Sequence, residues 1–134
     1  MHLRVAPEAF AGRVRIGAVA ACLVALACGH ARQDVTVVWQ IEPAAPVAET
    51  ITVVRLTLQD ADGRPVRDAR LRLEAHMTHP GMAPIVADVV DRGNGAYDAR
   101  VQLTMAGEWV FVVSGVLADG TRITKETRVP VRPR

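Results

Sequence analysis

The sequence predicts an all-β, immunoglobulin-like β-sandwich of about seven strands, preceded by a signal peptide. Three observations carry that prediction. Short segments alternate apolar and polar residues with a period of two, most cleanly over 69–75 and 97–104. Clusters of Gly, Pro, Asn and Asp punctuate them at intervals of about ten residues. No stretch after residue 28 shows a helical period. With 134 residues, half of them apolar, the chain has the material for one domain around one core. The organisation that follows is a signal peptide over 1–27, a tether over 28–34 and a sandwich domain over 35–131.

The N-terminal segment holds Arg4, Arg13 and Arg15, then an apolar run from Ile16 to Cys28. Such a run is too short for a membrane span of about 20 residues, but it has the length of a signal-peptide core. Ala25-Leu26-Ala27 supplies the small residues of a cleavage site, and Cys28 follows directly, as at a lipoprotein attachment site. Ala25 departs from the Leu usual three positions before the Cys. Cys22, after Val19-Ala20-Ala21, fits the local pattern better but leaves too short an apolar core. Lipidation at Cys28 leaves no second Cys for an intramolecular disulfide, whereas an ordinary cleaved signal leaves Cys28 incidental. The segment also carries the excess charge: beyond residue 27 thirteen basic residues face thirteen acidic ones. A neutral domain of alternating charge gives no electrostatic reason for nucleic acid or an acidic membrane surface as partner.

Strands then follow in order. Val35 to Ile41, rich in β-branched residues, is the first, and Pro43-Ala44-Ala45-Pro46 stops it because proline cannot donate to a ladder. Ile51 to Gln59 is the second, with Val54, Leu56 and Leu58 on one face. Asp60-Ala61-Asp62-Gly63-Arg64-Pro65 is a turn; its two Asp lack the further oxygen donors and the Glu that a calcium loop needs. Ala69 to Ala75 is the third strand, with Arg70, Arg72 and Glu74 outward. Ile85 to Val90 is the fourth, ended by the turn Asp91-Arg92-Gly93-Asn94-Gly95. Tyr97, Ala99, Val101 and Leu103 form the inner face of the fifth. Trp109 to Leu117, apolar on both faces, is a central strand. Ala118-Asp119-Gly120 turns into the last, Thr121 to Val131, whose Pro130 suits an edge.

The chemistry concentrates in His76-Met77-Thr78-His79-Pro80-Gly81-Met82, where two imidazoles and two thioethers fall within seven residues. Imidazole suits copper and zinc alike, and thioether sulfur favours Cu(I), so the mixture points to copper first. Strand parity refines the set. If the third strand runs on, Met77 falls on the core face and His76 on the outer face, leaving His76, His79 and Met82 as the more coherent trio, with Met77 shared between ligand and core. Zinc through the two His and Glu74 is a further option that the Met residues argue against. Met105 and Trp109 could lie near this loop, and core packing is the expectation for both.

Four segments in fixed order, Asp62-Gly63-Arg64-Pro65-Val66, Leu73 to Met77 with Gly81-Met82, Gly95 to Ala99, and Leu103 to Trp109, resemble the YtkA-like domain family, related to the periplasmic part of FixH proteins. The resemblance covers roughly residues 48 to 117. It implies an exported β-sandwich, often lipid-anchored, associated with copper handling or assembly of haem-copper oxidases, and it maps the family's His-Met and Gly-Met segment onto His76, Met77, Gly81 and Met82. FixH proteins carry a longer membrane anchor than this chain.

Two functions follow as expectations. One is a periplasmic or outer-envelope Cu(I) chaperone or buffer using His76, His79, Met82 and Met77, passing copper to an envelope partner and touching the membrane only through a lipid on Cys28. The other is an interaction module of the envelope that binds no metal. An enzyme is not expected: after residue 28 there is no Gly-rich phosphate loop, Ser elbow or Cys nucleophile.

Overall fold

The computed structural model describes residues 34–134; the expected signal peptide, Cys28 and the tether up to residue 33 lie outside the described residues. Seven strands form: β1 (Thr36–Glu42), β2 (Ile51–Gln59), β3 (Arg70–Met77), β4 (Ile85–Gly93), β5 (Ala96–Gln102), β6 (Gly107–Val116) and β7 (Arg122–Val131). All strand pairs are antiparallel, in the order β1-β2-β5-β4-β3-β6-β7. The strand β4 joins the two layers. Its residues Ile85 to Asp88 pair with β3, and Val89 to Gly93 pair with β5. One layer is therefore β1-β2-β5 and the other β3-β6-β7, which is the immunoglobulin-like arrangement. On the far side a parallel bridge joins Val47 to Arg132, bringing the chain after β1 back to the end of β7. The sheet is thus nearly closed.

The alternation seen in the sequence is the alternation of burial. Val54, Leu56 and Leu58 from β2, Leu73 and Ala75 from β3, Tyr97, Ala99 and Val101 from β5, and Trp109, Phe111 and Val113 from β6 face inward and are buried. Large apolar side chains of this kind each contribute about 1.5–3 kcal/mol when fully removed from water. Tyr97 adds a polar tie inside the core: its hydroxyl donates to the Val66 carbonyl (3.0 Å) and accepts from the Ala69 N–H (3.1 Å). That links β5 to the β2–β3 connection.

Most boundaries fall within two residues of the sequence expectation, β6 for instance starting at Gly107 rather than Trp109, and the largest difference is at the end of β4. The strand β4 does not stop at Val90 but continues to Gly93, with an irregularity between Asp91 and Gly93. The turn needs only Asn94 and Gly95, both at positive φ (54° and 76°), the geometry of a two-residue type I′ hairpin. A Cβ at Gly95 would also sit 2.8 Å from the Pro65 Cβ and 2.9 Å from the Leu58 carbonyl oxygen. Both conformation and space call for glycine there.

Register divides the loops between two poles. Thr36 lies opposite Gln59, and Arg70 opposite Val116, so the chain entry at 34–36, the connection 60–69, the Asn94-Gly95 hairpin and the turn 117–121 share one end. The connection 43–50, the β3–β4 loop over 78–84, the β5–β6 loop over 103–106 and residues 132–134 share the other.

Candidate metal centre

Strand β3 delivers the first two donors, and its pleat sends them to opposite sides. His76 is on the outer face with Arg72 and Glu74. Its Nε2 lies 3.0 Å from Glu74 Oε2, and Arg72 Nε lies 3.3 Å from Glu74 Oε1. An ionised carboxylate only accepts, so the Glu74 contact favours the ring form that carries its proton on Nε2, leaving the Nδ1 lone pair bare. A carboxylate holding the far nitrogen is the support that metal-binding imidazoles ordinarily have.

Met77 is on the inner face, half-buried against the core opposite Trp109 of β6. Its Cε approaches Gly107 so closely that a Cβ there would come within 2.9 Å of it. Gly107 leaves room for the thioether at the edge of the core. Strand parity holds to the end of the element: β3 runs through Met77, and His76 and Met77 diverge.

The loop then departs from β6. Thr78 is held through its N–H and its hydroxyl, both donating to the Glu108 carbonyl at 3.2 Å. From His79 to Pro84 every residue is exposed, and Met82 stands 43% exposed. Among the described residues, none forms a side-chain hydrogen bond or ion pair with this segment. Its imidazole and thioether therefore have no competing side-chain partner among the described residues.

The neighbouring β5–β6 loop brings a residue that sequence reasoning placed in the core. Trp109 is buried as expected, at 1% exposure, but Met105 is 47% exposed. The Trp109 Nε1–H donates to the Met105 carbonyl at 3.0 Å, so the buried indole fixes the Met105 backbone while its side chain faces water. His76, Met77, His79, Met82 and Met105 are all the His and Met residues among those described, and all sit at this pole.

The alternatives fare less well. Among the described residues no three His, Cys, Asp or Glu side chains gather as a metal site. Glu74, the carboxylate needed for a zinc set, already holds His76 and Arg72. Asp60 accepts from the N–H groups of Asp62 and Arg64 (2.9 Å each) and from Arg64 Nε (3.0 Å), and these bonds hold its carboxyl below the usual range, the Arg64 N–H foremost. That segment is a self-satisfied turn, not a calcium loop. A groove of about 540 Å³ beside Asp34, Val35 and residues 121–125 contains none of the candidate donors.

Comparison with known proteins gives three results. A family model described as YtkA-like matches residues 30–114. A search of curated protein sequences finds no match. Among solved structures, the Lin-41 filamin domain is similar with a TM-score of 0.55 at 19% identity, over 75% of this chain and 94% of its own. CopC from Methylosinus trichosporium OB3b is similar with a TM-score of 0.54 at 16% identity, over 75% and 95%. Superoxide reductase (neelaredoxin) from Ignicoccus hospitalis gives 0.53 at 12% identity, over 72% and 80%. At these identities the likeness is one of fold.

Proposed function

The chain belongs to the YtkA-like family, and from that membership we propose that it is an exported, lipid-anchored Cu(I)-binding protein of the cell envelope. It acts as a chaperone or buffer and, as a YtkA-like domain, as a binding module rather than an enzyme. His76, His79 and Met82 hold the ion, while Met77, turned to the inner face away from His76, stays with the edge of the core. Copper is cargo here, received and handed to an envelope partner.

One observation carries the reading: one imidazole and one thioether, His79 and Met82, stand on an exposed loop that makes no side-chain bond to the described residues, directly after a second imidazole, His76, that Glu74 braces at the end of β3. No cluster of His, Cys, Asp or Glu alone reaches three donors among the described residues. A site at this pole that draws on methionine sulfur favours a soft monovalent ion over zinc or calcium.

Titration with Cu(I) against a competing chelator tests the proposal. Wild type is expected to bind at least about tenfold more tightly than the double variant His76→Ala/Met82→Ala, the scale on which losing supporting groups changes metal affinity. Equal affinity in the two proteins would remove the copper reading and leave an envelope interaction module.

A further inference from the structure

We infer that Met105 is a further thioether donor to the same ion, so that the site is assembled from two loops and not from the His-Met segment alone. This rests on the copper reading above. It goes beyond that reading in naming a ligand that lies twenty-three residues after Met82 in the chain.

Three independent features of the fold converge on Met105. The first is position. His76, Met77, His79 and Met82 are neighbours in sequence, so their company is a single fact. Met105 reaches the same pole by a separate route, at the end of β5, because β6 pairs with β3 in a register that sets Met77 opposite Trp109. The bonds from Thr78 to Glu108 carry the pairing one residue into the loop, bringing the start of the β3–β4 loop against the start of β6.

The second feature is exposure against type. Methionine is an apolar side chain whose burial is favourable. Leu103 two residues before it is fully buried and Ala106 just after it packs on the core, while Met105 beside the exposed Thr104 is 47% exposed. Met82 across the pole is exposed to nearly the same degree, at 43%.

The third feature is fixation. The Trp109 indole, itself buried, donates to the Met105 carbonyl and holds that backbone against the core. Two residues on, Gly107 lacks the Cβ that would displace the Met77 methyl. The result is a firm platform, with Met77 set into its edge and Met105 rising from it. A donor whose backbone is already held costs less to order when it meets an ion than one on a free loop, which is the advantage of building part of a site on the rigid frame.

The test uses the full exported chain and Cu(I) supplied through a competing chelator, with Met105→Leu, Met82→Leu and His76→Ala/Met82→Ala beside wild type. Leucine keeps the volume of methionine and removes only the sulfur, and melting temperature checks that each variant is folded. Met105→Leu is expected to weaken Cu(I) binding by about tenfold or more and to lower the number of sulfur neighbours of copper, read by X-ray absorption, by one. If Met105→Leu matches wild type in affinity and sulfur count while Met82→Leu is weaker, Met105 is no ligand and the copper reading stands without it. If wild type binds no more tightly than His76→Ala/Met82→Ala, the copper reading itself fails and the inference falls with it.

Discussion

The two poles of the sandwich differ in one loop, the β3–β4 connection over 78–84. At the end where residue 34 enters, the turns close on themselves. Asp60 accepts two backbone N–H groups of its own loop, Asp91 accepts from the Gly93 N–H at 2.7 Å, Asp119 accepts from the Thr121 N–H at 2.8 Å, and Arg67 reaches Asn94 Oδ1 at 2.8 Å. Tyr97 fastens the β2–β3 connection from within. At the opposite end the connection 43–50 is tied as well, with the Thr50 hydroxyl donating to the Val47 carbonyl at 2.7 Å and the Gln102 side-chain amide donating to the Glu49 carbonyl at 3.1 Å, but in the β3–β4 loop the anchors stop at Thr78, and the segment from His79 to Pro84 is left to water. Hydrogen-bonding capacity spent inside a turn stabilises the turn. Donor capacity left outside is available to a ligand, and here the unspent groups are imidazole and thioether.

The contrast is most easily broken at Trp109, which belongs to the core but also supports the exposed pole. Trp109→Ala removes a side chain that is 1% exposed and is expected to cost about 3–5 kcal/mol of unfolding free energy, measured by urea denaturation. A loss under about 1 kcal/mol, the ordinary scale of a single substitution, would mean that the base of the His/Met pole is far looser than its packing indicates.

The closed pole is probed by Tyr97→Phe, which deletes a hydroxyl serving two backbone groups. The expected loss is about 1–3 kcal/mol, since buried partners are left unsatisfied. The change also has a pH signature. Burial of Tyr97 raises its folded pKa above the ordinary value of 10.0. A group whose pKa is raised on folding contributes stability below its unfolded pKa and loses it as pH climbs through the folded one. Wild type should therefore lose stability above about pH 10, and Tyr97→Phe should show a flatter alkaline limb. An alkaline limb that is the same in both proteins would assign the loss to other groups.

How much of this is legible in the sequence follows from what each signal depends on. Period-two alternation is local, so the strands and the inner faces of β2, β3 and β5 can be read directly, and the same parity separates His76 from Met77. Sequence reasoning places the turn after β4 too early because Asp91, Arg92 and Gly93 have turn chemistry, while β4 pairs on through an irregularity that ends at Gly93 (φ 84°), leaving Asn94 and Gly95 as the two hairpin residues. Strand order is out of reach, since it depends on pairings such as β3 with β6 that are distant in sequence. The brace from Glu74 to His76 is within reach: residues two apart on a strand share a face. Met105 is not, because alternation ends at Leu103 and a loop has no parity from which exposure can be read.

The smallest expected effect is the one that most sharply separates the poles. His79→Ala and Met82→Leu change exposed side chains that make no hydrogen bond or ion pair with the described residues. Surface substitutions of this kind normally shift stability by no more than about 0.5 kcal/mol in either direction. Urea midpoints of the two variants should therefore coincide with that of wild type in the absence of metal. Adding Cu(I) should raise the wild-type midpoint more than either variant's, because an ion that binds only the folded state stabilises it in proportion to its affinity. A variant that is already destabilised without copper would show that these side chains support the fold, and the contrast between a pole built for stability and a pole left open for a ligand would lose its basis.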